Sequence, residues 1–157
     1  MKFRHIVLIS LSFALITSCS NENTLNIATS ANMQFAMSEI VSEFKKDNDI
    51  KVELIITSSG KLTSQIEQGA PFDIFVAANT KYPAYLDSLG LTTSAPKVYA
   101  HGKLGLWTLK ELSPTLALLT TDTIQKIAIA NPKTAPYGKA SIEALKHSGI
   151  YDQVKHK

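Results

Sequence analysis

KVELIITSSGKLTSQIEQGAP, residues 51–71, is the stretch from which the fold follows. It opens with an apolar-rich run, breaks at Ser58-Ser59-Gly60, and resumes over residues 61–68 with Leu62 and Ile66 one helical turn apart. Gly69 is placed to cap that helix, and Pro71 just beyond cannot continue it. The unit reads as strand, short polar joint, helix.

The same plan occurs twice more. Residues 25–28 form an apolar run, Thr29-Ser30-Ala31-Asn32 the joint, and residues 33–47 an amphipathic helix with Met33, Met37, Ile40, Val41 and Phe44 on its apolar stripe. Later come KIAIA (126–130), the joint NPKTAPYG (131–138) and a helix over residues 139–148 ended by Gly149. Between them lie the strand candidate FDIFVAA (72–78), which carries Asp73, and a helical stretch over residues 82–89 closed by Gly90. Strands alternating with helices predict an α/β fold with mainly parallel sheets flanked by helices, and in such sheets ligands bind at the carboxyl ends of strands. TTSAPKVYAHGK (92–103) interrupts the apolar pattern, and LGLWT (104–108) reads as a further strand. Two lobes are therefore expected, residues 25–97 and 98–157, with the chain crossing near residues 97–102.

The amino terminus has the layout of a secretory leader. Lys2 and Arg4 precede IVLISLSFALI (6–16), and small residues follow. Eleven apolar-rich residues are too few to span a bilayer. Ile16-Thr17-Ser18-Cys19 resembles a bacterial lipobox, which makes residues 1–18 a lipoprotein signal peptide, Cys19 the acylated residue and residues 19–24 a polar tether. Lys2 and Arg4 fall in the leader, lowering the 16 Lys and Arg to 14 against 13 acids and the formal charge from +3 to +1. That balance predicts no nucleic-acid interface. One cysteine permits neither an intrachain disulfide nor a cysteine zinc site.

The joints carry the chemistry. Thr29, Ser30, Asn32, Thr57, Ser58 and Ser59 are short hydrogen-bond donors, each joint leads into a helix start with unpaired amides, and no joint contains Asp or Glu. An ionised oxyanion offers only acceptors, so donors without carboxylates suit it. The bland reading is ordinary helix N-capping by Ser and Thr. Two enzymatic patterns fare worse. Ser58-Ser59-Gly60-Lys61 fits the S-x-x-K motif of a serine acyl-enzyme, but no S-D-N accompanies it and Lys133-Thr134-Ala135 is not K-T-G. A P-loop fails because Ile55 stands where its first glycine belongs and Leu62 where its Ser/Thr belongs. His101, His147 and His156 lack metal-ligand spacing, Asp73 is read as an orienter of backbone, and Tyr82, Tyr85, Leu86 and Leu89 as packing residues.

ATSANMQFAMSEIVSEFKK, TSSGKLTSQIEQGAPFDIFVAANTKYP, VYAHGKLGLWT and IAIANPKTAPYGKASIEAL together resemble the molybdate-binding proteins of bacterial ABC transporters, from about residue 25 to 155. The resemblance implies a periplasmic binding protein-like fold whose two lobes close on molybdate or tungstate. It implies no enzymatic activity and no cofactor, an ABC permease and ATPase as partners, and an extracytoplasmic location, periplasmic or membrane-anchored. It carries Asn32, Ser59 and Tyr137 over as ligand-binding positions, Tyr137 through its backbone amide, with molybdenum held as the oxyanion rather than by protein ligands. Ser58, Ala31, Ser30 and Thr29 rank behind them. Sulfate and phosphate are the alternative ligands. Two departures are visible: Asn79 replaces a frequent acid, and family members continue beyond the position of Lys157, so an incomplete second lobe is expected.

Overall fold

The computed structural model describes residues 24–157. The leader, Cys19 and the tether through Asn23 lie outside the described residues. Strands β1 (Thr24–Ser30), β2 (Lys51–Thr57) and β3 (Ile74–Val76) form a parallel sheet in the order β2-β1-β3. Central β1 pairs along its length with β2, from Thr24 opposite Lys51 to Ser30 opposite Thr57. On its other edge Ile27 faces Ile74 and Thr29 faces Val76. Parallel neighbours need crossovers. Helices α1 (Gln34–Asp47) and α2 (Ser59–Glu67) supply them, so the first two joints fall at the carboxyl ends of β1 and β2.

Alternation along the strands sorts the side chains into two layers. Ile27 and Val52 pack with Met37 and Val41 of α1, joined by Leu25, Leu54 and Val76. α2 packs against β1 and against α3 (Lys81–Ser88). Leu62 of α2 and Leu86 of α3 are almost fully buried, each burial being worth about 1.5–3 kcal/mol. The expected stripe of α1 is only half used: Met37 and Val41 are buried, whereas Ile40 is 56% exposed. A sheet three strands wide offers too narrow a floor for the whole stripe.

Asp73 explains why β3 is shorter than FDIFVAA suggests. Its Oδ2 accepts from the Asn26 amide at 2.7 Å while its own amide donates to the Asn26 carbonyl at 2.9 Å. A carboxylate thus takes the place of a backbone acceptor beside β1. The packing reading holds for Leu86 and for half-buried Tyr82, but not for Tyr85 and Leu89. Leu89 is exposed, and the Tyr85 hydroxyl donates to Glu67 Oε1 at 2.7 Å.

Downstream, α4 (Leu116–Thr120), α5 (Pro136–His147) and α6 (Tyr151–Val154) gather around Leu119, Leu145 and Val154. Two expectations are corrected here. Residues 104–108 and 126–130 form no strand. A ladder needs a neighbour, and neither segment finds one among the described residues. Leu104, Leu106 and Trp107 are exposed, and the Ile127 amide donates instead to the Lys157 carbonyl at 3.1 Å. α5 also starts three residues earlier than its apolar spacing indicates, because Pro136 at the first helical position is preset for the turn. α2, α3 and α5 end at Gly69, Gly90 and Gly149, all left-handed as C-capping requires. No helix among the described residues is long and apolar enough to cross a membrane.

Candidate functional site

The first joint follows β1. Thr29 and Ser30 are buried, and a short 3-10 turn, Ala31–Met33, leads into α1. The Ser30 hydroxyl donates to Asn32 Oδ1 at 2.7 Å. The Asn32 carbonyl oxygen is thereby engaged, which leaves its Nδ2 hydrogens as donors.

The second joint follows β2. Ser58 occupies the N-cap of α2, but its side chain makes no capping bond, and neither does that of Ser30 before the 3-10 turn. Ordinary capping therefore does not account for these hydroxyls. Ser58 Oγ and Thr29 Oγ1 are buried without a hydrogen-bond partner, a state that costs about 1–3 kcal/mol per group. Ser59 is fully buried, and its Oγ accepts from the Ala78 amide at 3.0 Å. That bond ties the start of α2 to the segment after β3.

The third joint is organised by Asn131. Its Oδ1 accepts from the Lys133 amide at 2.9 Å and its carbonyl from the Ala135 amide at 2.8 Å. Pro136 has no N–H, so the first amide of α5 belongs to Tyr137. Gly60 donates its amide to the Thr134 carbonyl at 3.0 Å, so the second and third joints touch. One amide at the α2 start is consequently spent on protein and not free for a ligand.

A cavity of about 200 Å³ opens beside these joints, with Asn32, Asn79, Lys97, Tyr99, His101 and Tyr137 in its wall. No Asp or Glu lines it. Asn32 and Tyr137, 105 positions apart in the numbering, thus share one wall. Ser59 does not line the cavity; it stands behind Ala78, which does. Ser58 is its half-buried neighbour in sequence, with Oγ enclosed, Ser30 orients Asn32, and exposed Ala31 offers no polar side chain.

Tyr99 and His101 were not singled out from the sequence as site residues, nor was Lys97. All three arrive on the crossing segment, which has no periodicity to mark them. The Tyr99 hydroxyl donates to the Ala77 carbonyl at 2.9 Å. Burial, and secondarily the neighbouring Tyr137 phenol, hold its pKa above the ordinary 10.0. A Cβ at Gly102 would collide with the Tyr137 phenol. As for the acyl-enzyme pattern, a serine nucleophile requires a base within hydrogen-bond reach, and Ser58 Oγ has none.

Known proteins place this geometry in context. The sequence matches the bacterial extracellular solute-binding protein family over residues 25–157. It is similar to the molybdate-binding protein ModA of Azotobacter vinelandii, 34% identical over 154 residues covering 96% of this chain and 61% of that protein. The molybdate-binding protein ModA of Rhodobacter capsulatus is 35% identical over 133 residues, covering 83% and 52%. Among solved structures, the periplasmic molybdate-binding protein of Azotobacter vinelandii superimposes with a TM-score of 0.74 at 34% identity, over 83% of this chain and 58% of that one. The chain spans less than two thirds of the length of these relatives. A parallel sheet with helical crossovers, a family match across the described residues and this structural agreement lead to one conclusion: the chain belongs to the bacterial extracellular solute-binding protein family.

Proposed function

We propose that the chain is the substrate-binding component of a bacterial ABC importer for molybdate, taking tungstate through the same contacts, and that it binds its ligand without transforming it. The observation that carries this reading is the acid-free cavity, walled by Asn32, Lys97, His101 and the Tyr137 helix start. A tetrahedral dianion brings no hydrogens, so every contact must come from a protein donor. The Asn32 Nδ2 group and the Tyr137 amide are the donors at the cavity, and the Ser59 hydroxyl, behind Ala78 in this structure, would join them as a third principal donor when the surrounding elements close, with Ser58, Ser30 and Ala31 flanking them. Charge-assisted bonds of this kind contribute about 1.5–3 kcal/mol each, enough in combination to offset desolvation of a small anion. No cofactor takes part.

Ligand would favour the state in which the elements around the cavity close, and that state would be what a permease and its ATPase recognise. Sulfate presents the same acceptors as molybdate, so cavity size sets selectivity against it. Acylation of Cys19 would tether the protein on the extracytoplasmic side of a membrane.

Titration calorimetry with sodium molybdate tests the reading, with tungstate, sulfate and phosphate as competitors. The expected result is saturable binding of molybdate and tungstate, with sulfate and phosphate far weaker. The Asn32→Ala, Ser59→Ala double variant should abolish binding while keeping its circular dichroism. Unchanged affinity in that variant would overturn the assignments, and absence of any molybdate heat would overturn the function.

A further inference from the structure

Two hydrogen bonds already described meet on one peptide group. The Tyr99 hydroxyl donates to the Ala77 carbonyl at 2.9 Å, and the Ala78 amide donates to Ser59 Oγ at 3.0 Å. The Ala77 carbonyl and the Ala78 amide are the two ends of a single planar peptide unit. Tyr99 and Ser59 therefore grip that unit from opposite ends, and every donor in the series points the same way: phenol to peptide, peptide to serine.

This arrangement has two consequences. Ser59 Oγ is used as an acceptor, so its own hydrogen is directed away from Ala78 and remains to be donated. Hydrogen bonds in series also polarise one another, and in a low-dielectric setting each strengthens the next. Ser59 is fully buried, so the setting at that end of the chain is dry. Tyr99 itself lines the cavity with Asn32 and Tyr137 and belongs to the crossing segment.

We propose that Tyr99 is a positioning residue for the oxyanion donor Ser59, acting through the 77–78 peptide to fix the direction and strength of the serine hydroxyl. The role rests on the oxyanion reading of the cavity. Tyr99 need not touch the ligand. It holds the peptide, the peptide holds the oxygen, and the serine hydrogen is left to be donated. The crossing segment thereby sets the quality of a donor on α2.

Tyr99→Phe removes the hydroxyl and keeps the ring. In the ligand-free full chain, amide hydrogen exchange at Ala78 should accelerate several-fold in Tyr99→Phe and in Ser59→Ala, while amides of Val41 and Leu86 keep their wild-type rates. In calorimetry with molybdate, Tyr99→Phe should weaken binding about fivefold, the scale of one net hydrogen bond. The decisive comparison is the double variant: in the Ser59→Ala background, adding Tyr99→Phe should cost nothing further. If Ser59→Ala binds too weakly to titrate or does not fold, Ser59→Cys, which keeps the volume and weakens the acceptor, takes its place. Unchanged Ala78 exchange in Tyr99→Phe overturns the proposal, as does an equal loss of affinity in both backgrounds. A wild-type chain that ignores molybdate, tungstate, sulfate and phosphate overturns the oxyanion reading and the positioning role with it. That outcome is distinguished from failure of the relay because Ala78 exchange would still respond to Tyr99→Phe.

Discussion

Gly60 gives its amide hydrogen to the Thr134 carbonyl across 3.0 Å, and a Cβ at Gly60 would stand 2.9 Å from that same oxygen. The contact joins the start of α2 to the loop before α5 and leaves no room for a side chain. Alanine is the better helix former by about 1 kcal/mol, so the exchange would be favourable in isolation. Here the methyl also meets the Tyr82 hydroxyl at 3.0 Å, and overpacking against backbone costs about 1–3 kcal/mol. The clash wins. Gly60→Ala should lower the urea midpoint and weaken molybdate binding, both measurable on the same preparation; a raised midpoint would show that the loop yields freely.

Gly138 and Gly102 separate two kinds of crowding around Tyr137. A Cβ at Gly138 would collide with the Ala130 carbonyl and reach 2.8 Å from the Asn131 carbonyl carbon, all backbone. Gly138→Ala should cost at least about 3 kcal/mol, the upper range for overpacking, and shift the thermal midpoint down by several degrees. At Gly102 the obstacle is the outer end of a side chain, the Tyr137 phenol. Gly102→Ala should leave the midpoint within a degree or two, yet change the environment of Tyr137 in near-ultraviolet circular dichroism.

Tyr99 predicts an alkaline transition. Its phenol is held above 10.0, first by burial and then by Tyr137, so the folded state binds this proton more tightly than the unfolded state does. The contribution is complete below the unfolded value and is lost as pH rises through the folded one. Stability should therefore fall on going above pH 10.0, and the tyrosinate absorbance of Tyr99 should titrate late, alongside that of Tyr85, whose phenol is raised by its hydrogen bond to Glu67. Tyr99→Phe should lower the amplitude of that late step, leaving the part due to Tyr85; an unchanged amplitude would assign it elsewhere.

Burial contrasts give a direct check on the packing. Leu62 is fully buried, whereas Leu109 is 88% exposed. Leu62→Ala should cost about 2–5 kcal/mol through lost transfer energy and a residual cavity. Leu109→Ala should fall within about 0.5 kcal/mol of wild type. Equal effects in urea unfolding would contradict the core described for α2.

Much of the fold was readable along the chain. Apolar runs ended by Ser, Thr or Asn joints and closed by Gly69, Gly90 and Gly149 mark units whose signals are local: periodicity, caps and turn residues. The same signals misled at residues 104–108 and 126–130, where strand-like composition met no partner to pair with. They also overstated α1, whose apolar stripe is wider than the sheet beneath it. Strand formation depends on a neighbour, and a neighbour is not a property of the segment.

For the site, the residue types of the three joints were visible as donors without carboxylates, because short polar side chains before helices stand out in any sequence. Their mutual placement was not. That Asn32 and Tyr137 share a wall, that Ser59 sits behind Ala78, and that Lys97, Tyr99 and His101 complete the surroundings all follow from how β1, α2 and the crossing segment pack. Local chemistry is written in consecutive residues, whereas convergence of distant ones is settled by burial and backbone hydrogen bonding over the whole chain.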